Sequence, residues 1–327
     1  MKSIVAVVAL VVGACAWAEA APTLKTYRLE GTPKAFYYSA VQPLEKGSPC
    51  EIAVVLVHGW GDGTAAPIEQ APMLKALAKA TPEGKCVPYV LAPFFPRREI
   101  MERKGVPEDG RAVWNDSWGR DLTIPGSPDD DWRGGGDAVG TTFSSFDAID
   151  CIFAALGDRK LYPNLRRVVL TGFSAGGQFV GRYVAVGKGK VRDGVTVEYA
   201  AMAPSTELRL DRDIRWHYGL KDRPRYSAAL SYDEIYRNLS TRHVRRACGT
   251  KDDLCGSGNT VDSCPAAMAQ GRSRIERFRS LEQYLKKYPE WARQVTFHPI
   301  EGLGHDTCTA HSLPEFVDYV FGRDGAR

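Results

Sequence analysis

The stretch GFSAGG (residues 172–177) sets Ser174 between glycines two positions away on either side, directly after the apolar run RVVLT. A serine hydroxyl becomes a nucleophile only beside a base that takes its proton, an acid that orients the base, and amides that receive the charge developing on the substrate oxygen. The segment VVLTGFSAGGQFVGRYVAV reads as strand, sharp turn, helix, with Ser174 at the turn, the setting of a nucleophile elbow. Glycine is required there at 172 and 176, because strand and helix backbones approach too closely for a Cβ, and Gly177 adds room. The helix that follows points its N-terminus at the serine, so the Ala175 amide can donate to an oxyanion. A glycine-rich turn with an incidental serine has the same six letters, and only the rest of the chain separates the two.

The chain has six histidines. His305, in IEGLGHD, follows the apolar run QVTFHPI and has the place that the chain order serine, acid, histidine requires of the base. His298 falls inside that run as a packed residue, and His311 is the reserve base. The acid belongs after the preceding strand, where HVRRACGTKDD ends in two aspartates. Asp252 leads and Asp253 is the reserve; either can accept the Nδ1 proton of His305 and fix its tautomer. Taken alone, a Lys-Asp-Asp turn is a polar loop, and its position between Ser174 and His305 is what makes it a candidate. VLVHGWGDG (55–63) ends the first long apolar run, so the Trp60 amide is expected to join that of Ala175 in an oxyanion hole. His58, ahead of all of these, reads as structural.

Positioning such groups takes a frame of strands and helices. KTYRLE and KAFYYSA suggest an opening hairpin. Apolar strands are predicted over 51–59, 87–95, 167–172, 195–204, 243–249 and 294–300. Helices are predicted over 67–80, 140–156, 178–186, within 265–288 and over 313–321. Unbroken apolar strands alternating with amphipathic helices predict an α/β class with a mostly parallel central sheet covered on both faces, as one domain over 21–327. Two segments interrupt the alternation, 97–137 and 207–242, and both are expected as loop or lid insertions over the site. Their aromatics Trp114, Trp118, Trp216 and Tyr218, with Trp132 and Tyr226, are candidates for a substrate pocket, or else small packing clusters. The arginines of SRIERFR (273–279) are expected on a solvated helix face.

Composition limits the partners. With 43 Lys and Arg against 39 Asp and Glu in 327 residues, the net charge is +4, which gives no support for nucleic acid. Residues 1–20 have the form of a signal peptide: Lys2, an apolar stretch over 4–18, and a small-x-small cleavage site at Ala18-Glu19-Ala20, too short an apolar run to span a membrane. Secretion or periplasmic location follows, with an alternative in which Val12-Gly13-Ala14-Cys15 acts as a lipobox and Cys15 carries a lipid anchor. The remaining seven cysteines (50, 86, 151, 248, 255, 264 and 308) are an odd count in an oxidising compartment, so disulfides are expected with one thiol left over. Cys50 and Cys86 are expected to form one bridge, and Cys151 to be the thiol left over. No C-x-x-C or paired-histidine spacing suggests a metal.

Over residues 25–322 the sequence resembles the α/β-hydrolase superfamily. GFSAGGQFVGRY, APST, WHYGLKDRPRY, CGTKDD, DSCPAAMAQGRSRIER and GLGHD are similar to a group of exported bacterial and fungal serine hydrolases without a defined substrate. The resemblance implies Ser174 as nucleophile, Asp252 as acid and His305 as base, in acyl transfer from a small-molecule or polymer-linked ester with no cofactor and no metal. A serine peptidase or amidase and a polyester depolymerase use the same groups. A dehalogenase or epoxide hydrolase of this fold would need aspartate at 174. A noncatalytic binding module on the same scaffold predicts a broken triad.

Overall fold

The computed structural model describes residues 22–28, 34–60, 65–105, 110–115, 131–253 and 261–325. The expected leader with Cys15 lies outside them, as do Trp118 and Cys255.

Eight strands, β1 (Thr23–Arg28), β2 (Ala35–Ala40), β3 (Ile52–Val57), β4 (Tyr89–Phe94), β5 (Arg167–Phe173), β6 (Thr196–Met202), β7 (Val244–Gly249) and β8 (Val295–Ile300), form one sheet in the order β1-β2-β4-β3-β5-β6-β7-β8. β1 pairs with β2 and β2 with β4 antiparallel; every other pairing is parallel. The helices are α1 (Ala65–Ala80), α2 (Arg98–Arg103), α3 (Ser145–Leu156), α4 (Ala175–Val186), α5 (Arg225–Ala228), α6 (Tyr232–Thr241), α7 (Pro265–Met268), α8 (Arg274–Leu285), α9 (Pro289–Ala292), α10 (Thr307–Ala310) and α11 (Pro314–Phe321).

The two-residue period of the central strands separates two cores. From β3, Ala53, Val55 and Val57 join Leu170, Tyr199 and Ala201 beneath α3 and α4, through Phe146, Phe153, Phe179 and Tyr183. Val54 and Leu56 point the other way, with Val169, Ala200 and Met202, to meet Met73 and Leu77 of α1, Phe278 of α8 and Phe316 of α11. Residues buried on both faces give the unbroken apolar runs visible in the sequence.

Register sets the strand ends side by side. Val57 pairs with Gly172 and Phe173 with Met202, so the turns after β3, β5 and β6 emerge together. Gly249 pairs with Ile300, and beyond that pair Lys251 N donates to Leu303 O (2.9 Å), which ties the loop after β7 to the loop after β8.

Several expected boundaries shift. The helix after Ser174 begins at Ala175 rather than 178, because the turn is tight enough to feed the chain straight into helix. The helix within 265–288 is two pieces, α7 and α8, separated at Gly271 (φ 142°). Segment 207–242 contains α5 and α6 rather than loop alone. A Ser231/Glu234 capping box starts α6, and Ile235 and Leu239 dock it on the core. The described part of 97–137 holds α2 and a 3-10 turn at Trp132–Gly134.

Cys50 is a buried free thiol, its pKa pushed up to about 11 by burial, so the expected Cys50–Cys86 bridge is not formed. Cys248, Cys264 and Cys308 are free as well. Among the described residues no helix is long and apolar enough to cross a membrane.

Candidate active site

Ser174 occupies a backbone conformation that L residues seldom adopt, φ 57° and ψ −114°, as the single residue between β5 and α4. Holding it there costs about 1–3 kcal/mol, offset by the packing of strand and helix around it. The glycines have the expected cause: a Cβ on Gly172 would strike the Gly176 backbone, one on Gly176 the Val57 carbonyl, and one on Gly177 the Met202 carbonyl. Ser174 N donates to Met202 O (2.9 Å), which fastens the turn to β6. The Ser174 hydroxyl makes no capping bond to its own helix. Ala175, at the first helical position, has an N–H without an intrahelical acceptor.

His305 and Asp252 are brought together by the joined β7 and β8 loops, with His305 Nδ1 2.7 Å from Asp252 Oδ2. A carboxylate only accepts, so Nδ1 carries a proton, and in the neutral ring Nε2 presents its lone pair. The imidazole centroid lies 4.7 Å from that of Phe173, the residue before the elbow. Asp252 is buried and its other oxygen receives Arg274 Nη1 at 3.4 Å, from a guanidinium that is buried too. Asp253, the reserve acid, points to solvent.

His311 and His58 have closed environments, and His298 is half-buried in β8. His311, the reserve base, is fully buried: its ring accepts from Thr171 Oγ1 at Nε2 (3.2 Å) and donates to Thr307 O from Nδ1 (3.0 Å). Burial lowers its pKa to about 4. His58 donates to Gly59 O (2.7 Å) and accepts from Phe95 N (3.0 Å), and burial likewise lowers its pKa to about 4. It is a neutral strut beneath the loop that carries Trp60.

That loop has a support that sequence reasoning missed. Glu69 of α1 receives the Gly59 N–H on both carboxylate oxygens (3.0 and 3.2 Å), and burial raises its pKa to about 7. Two guanidinium groups lie over the Trp60 ring, Arg97 at 3.9 Å and Arg133 at 4.3 Å from its centroid. Arg133 is held by buried Asp131, with Nε 2.8 Å from Oδ2.

The aromatics of the insertions are less open than a pocket wall. Trp114 and Trp216 are fully buried and donate their indole N–H groups to Gly136 O (3.0 Å) and Gly134 O (2.7 Å), so they brace the loops; Trp132 is buried with them. Tyr218 is buried with its hydroxyl on Asp262. The SRIERFR arginines also depart from expectation. Arg274 and Arg277 turn inward while Arg272 and Arg279 face solvent, because the inward pair is satisfied by Asp252 and by the Ser205 and Gly271 carbonyls.

No protein-family model matches the chain, and no curated protein matches it. Solved structures do. The poly(3-hydroxybutyrate) depolymerase LpqC of Bordetella parapertussis superposes with a TM-score of 0.65 at 18% identity, over 93% of this chain and 91% of its own. Poly(aspartic acid) hydrolase-1 of Sphingomonas sp. KT-1 superposes with a TM-score of 0.61 at 20% identity, over 89% of this chain and 98% of its own. At these identities the likeness establishes the architecture: the chain has the α/β-hydrolase fold.

Proposed function

We propose that this α/β-hydrolase-fold chain is an exported serine hydrolase that cleaves carboxylic esters through Ser174, His305 and Asp252. The observation that carries the reading is the 2.7 Å His305–Asp252 hydrogen bond, formed beside a strained serine elbow whose hydroxyl is withheld from helix capping. In this reading His305 Nε2 takes the Ser174 proton as Oγ attacks the ester carbonyl. The oxyanion that forms is received by the N–H groups of Trp60 and Ala175. His305 returns the proton to the departing alcohol, leaving an acyl-serine. Water then attacks the acyl group, with His305 again as base, and the acid is released. Asp252 keeps the imidazole in the productive tautomer and balances its positive charge, and Arg274 restrains Asp252.

The test is a series of 4-nitrophenyl esters of rising acyl length, feruloyl and acetyl-xylan substrates, and polymers with the ester and amide linkages of the two similar structures. Wild type and Ser174→Ala are assayed together. Serine-dependent turnover and labelling by a fluorophosphonate are expected, with at least about a 10⁴-fold loss of kcat in Ser174→Ala. Absence of both turnover and labelling across the series rules the reading out.

A further inference from the structure

Gln178 and Arg182 lie four residues apart on one face of α4, about 6 and 12 Å along the helix axis from Ser174, which precedes its first turn. Arg182 is buried at 1% exposure, yet the groups that accept from it are neutral: Arg133 O at Nη1 (3.1 Å) and Thr206 Oγ1 at Nη2 (3.0 Å). Its Nε meets no acceptor. Of the surrounding carboxylates, Asp131 is engaged by Arg133 and Asp262 by the Tyr218 hydroxyl, while Glu207 is bonded to Arg246 through Oε2 alone (2.6 Å) and its Oε1 meets no donor. Burial, reinforced by Arg133, brings the Arg182 pKa down to about 10, although Asp131 and Asp262 pull it the other way.

His217 belongs to the same cluster. It is 2% exposed, and neither ring nitrogen has a hydrogen-bond partner. Burial, followed by the charge of Arg182, holds its pKa well below the usual histidine range, so the ring is neutral and offers one donor and one acceptor. Gln178 adds a further donor. Its amide fits its neighbours with the oxygen toward Thr206 Oγ1 (2.6 Å) and Arg182 Nη2 (3.2 Å), which turns its NH2 toward Arg133 Nη1, 3.5 Å away. A donor facing a donor, a buried cation and an unbonded imidazole share one requirement, an acceptor that carries negative charge.

We propose that Arg182, His217 and Gln178 form a subsite for a carboxylate borne by the substrate, one to two helical turns from the reacting serine. The inference rests on Ser174 being the nucleophile, and it narrows the substrate class to esters whose acyl part ends in a free acid. The first measurement compares kcat/KM for mono-4-nitrophenyl adipate with that for the neutral 4-nitrophenyl hexanoate. Wild type is expected to favour the adipate about tenfold or more, and Arg182→Gln and His217→Asn to bring the ratio close to one. A wild-type ratio near one or below overturns the subsite, and so does a ratio that neither substitution changes. The second measurement is calorimetric binding of adipate dianion to Ser174→Ala, which needs no chemistry. Binding that Arg182→Gln abolishes supports the subsite even where no ester is turned over, in which case the hydrolase reading alone fails. No binding, or binding of inorganic phosphate in preference to adipate, overturns the carboxylate assignment. Circular dichroism of each variant separates loss of the subsite from loss of the fold, and the wild-type arms decide the matter should both variants unfold.

Discussion

The molecule builds the same three-part cluster twice, at opposite ends of its sheet. Beyond the C-terminal ends of β7 and β8, His305 donates to Asp252 at 2.7 Å and Arg274 holds the other carboxylate oxygen at 3.4 Å. At the N-terminal edge, His243 meets Glu198 at 2.9 Å and Arg167 holds that carboxylate at 3.2 Å. In each cluster the carboxylate fixes the imidazole tautomer and leaves Nε2 bare. The difference is what the fold puts beyond the ring. His305 hangs on a loop against Phe173 and the strained serine turn, whereas His243 Nε2 meets no hydrogen-bonding group and its ring lies 6.3 Å from Tyr319. An open cavity of about 930 Å³ runs past the second cluster, so volume does not identify the reactive one. A histidine–carboxylate pair is an ordinary way to stabilise a sheet edge, and it becomes a candidate catalytic device only at the strand ends where backbone strain and spare amides collect.

The largest expected effect breaks this symmetry directly. Asp252→Asn removes the acceptor that fixes the His305 tautomer and is expected to lower kcat by about 10²–10⁴-fold. Glu198→Gln makes the matching change at the other cluster and is expected to leave ester turnover within about twofold, while costing about 1–3 kcal/mol in urea unfolding. Equal losses of activity in the two variants would remove the distinction. The arginines test the next layer. Arg274→Gln leaves Asp252 buried without its cation and is expected to lower kcat about tenfold with little change in KM, whereas Arg167→Gln is expected to change only the unfolding midpoint.

The frame was legible because two-residue and 3.6-residue periods survive in the letters. β3, β5 and β6 are apolar on both faces, and the elbow glycines answer to close backbone approach, Gly172 to Gly176 four residues on, Gly176 and Gly177 to the ends of β3 and β6. The pairing of Asp252 with His305 was legible for a related reason, since each follows its strand in an order that the sheet topology imposes. Arg274 was misread: its partner is 22 residues away, and an arginine looks the same in sequence whether it meets solvent or a buried carboxylate. A signal was present, for Arg274 and Arg277 share a helical stripe with Phe278, Leu281 and Leu285. Glu69 gave no signal, because its acceptor role depends on a backbone N–H presented by a turn. Trp114 and Trp216 were legible as aromatics in long segments, but their burial depends on the carbonyls of Gly136 and Gly134, which spacing does not reveal.

Histidines without any carboxylate sharpen the comparison further, through stability against pH. His58 and His311 are buried among neutral partners, and burial lowers each pKa from 6.5 to about 4. The unfolded chain therefore takes up protons at these two sites before the folded chain does. The stability they carry is intact above about pH 6.5, falls as pH drops toward 4, and changes no further below that, by about 3 kcal/mol for each. Glu69 acts with the opposite sign. Its pKa is raised from 4.5 to about 7, so the folded form keeps a proton that the unfolded chain loses, and its contribution is lost as pH rises between those values. Lowering the pH from 7 to 4.5 thus recovers at Glu69 about what one of these two histidines gives up, so these three groups together lose about as much as the other. His311→Gln is expected to flatten the fall in stability between pH 7 and 4.5, and Glu69→Gln to steepen it, both read from urea unfolding at the two values. Unchanged slopes in both variants would mean that these buried groups titrate in the folded protein much as they do in water.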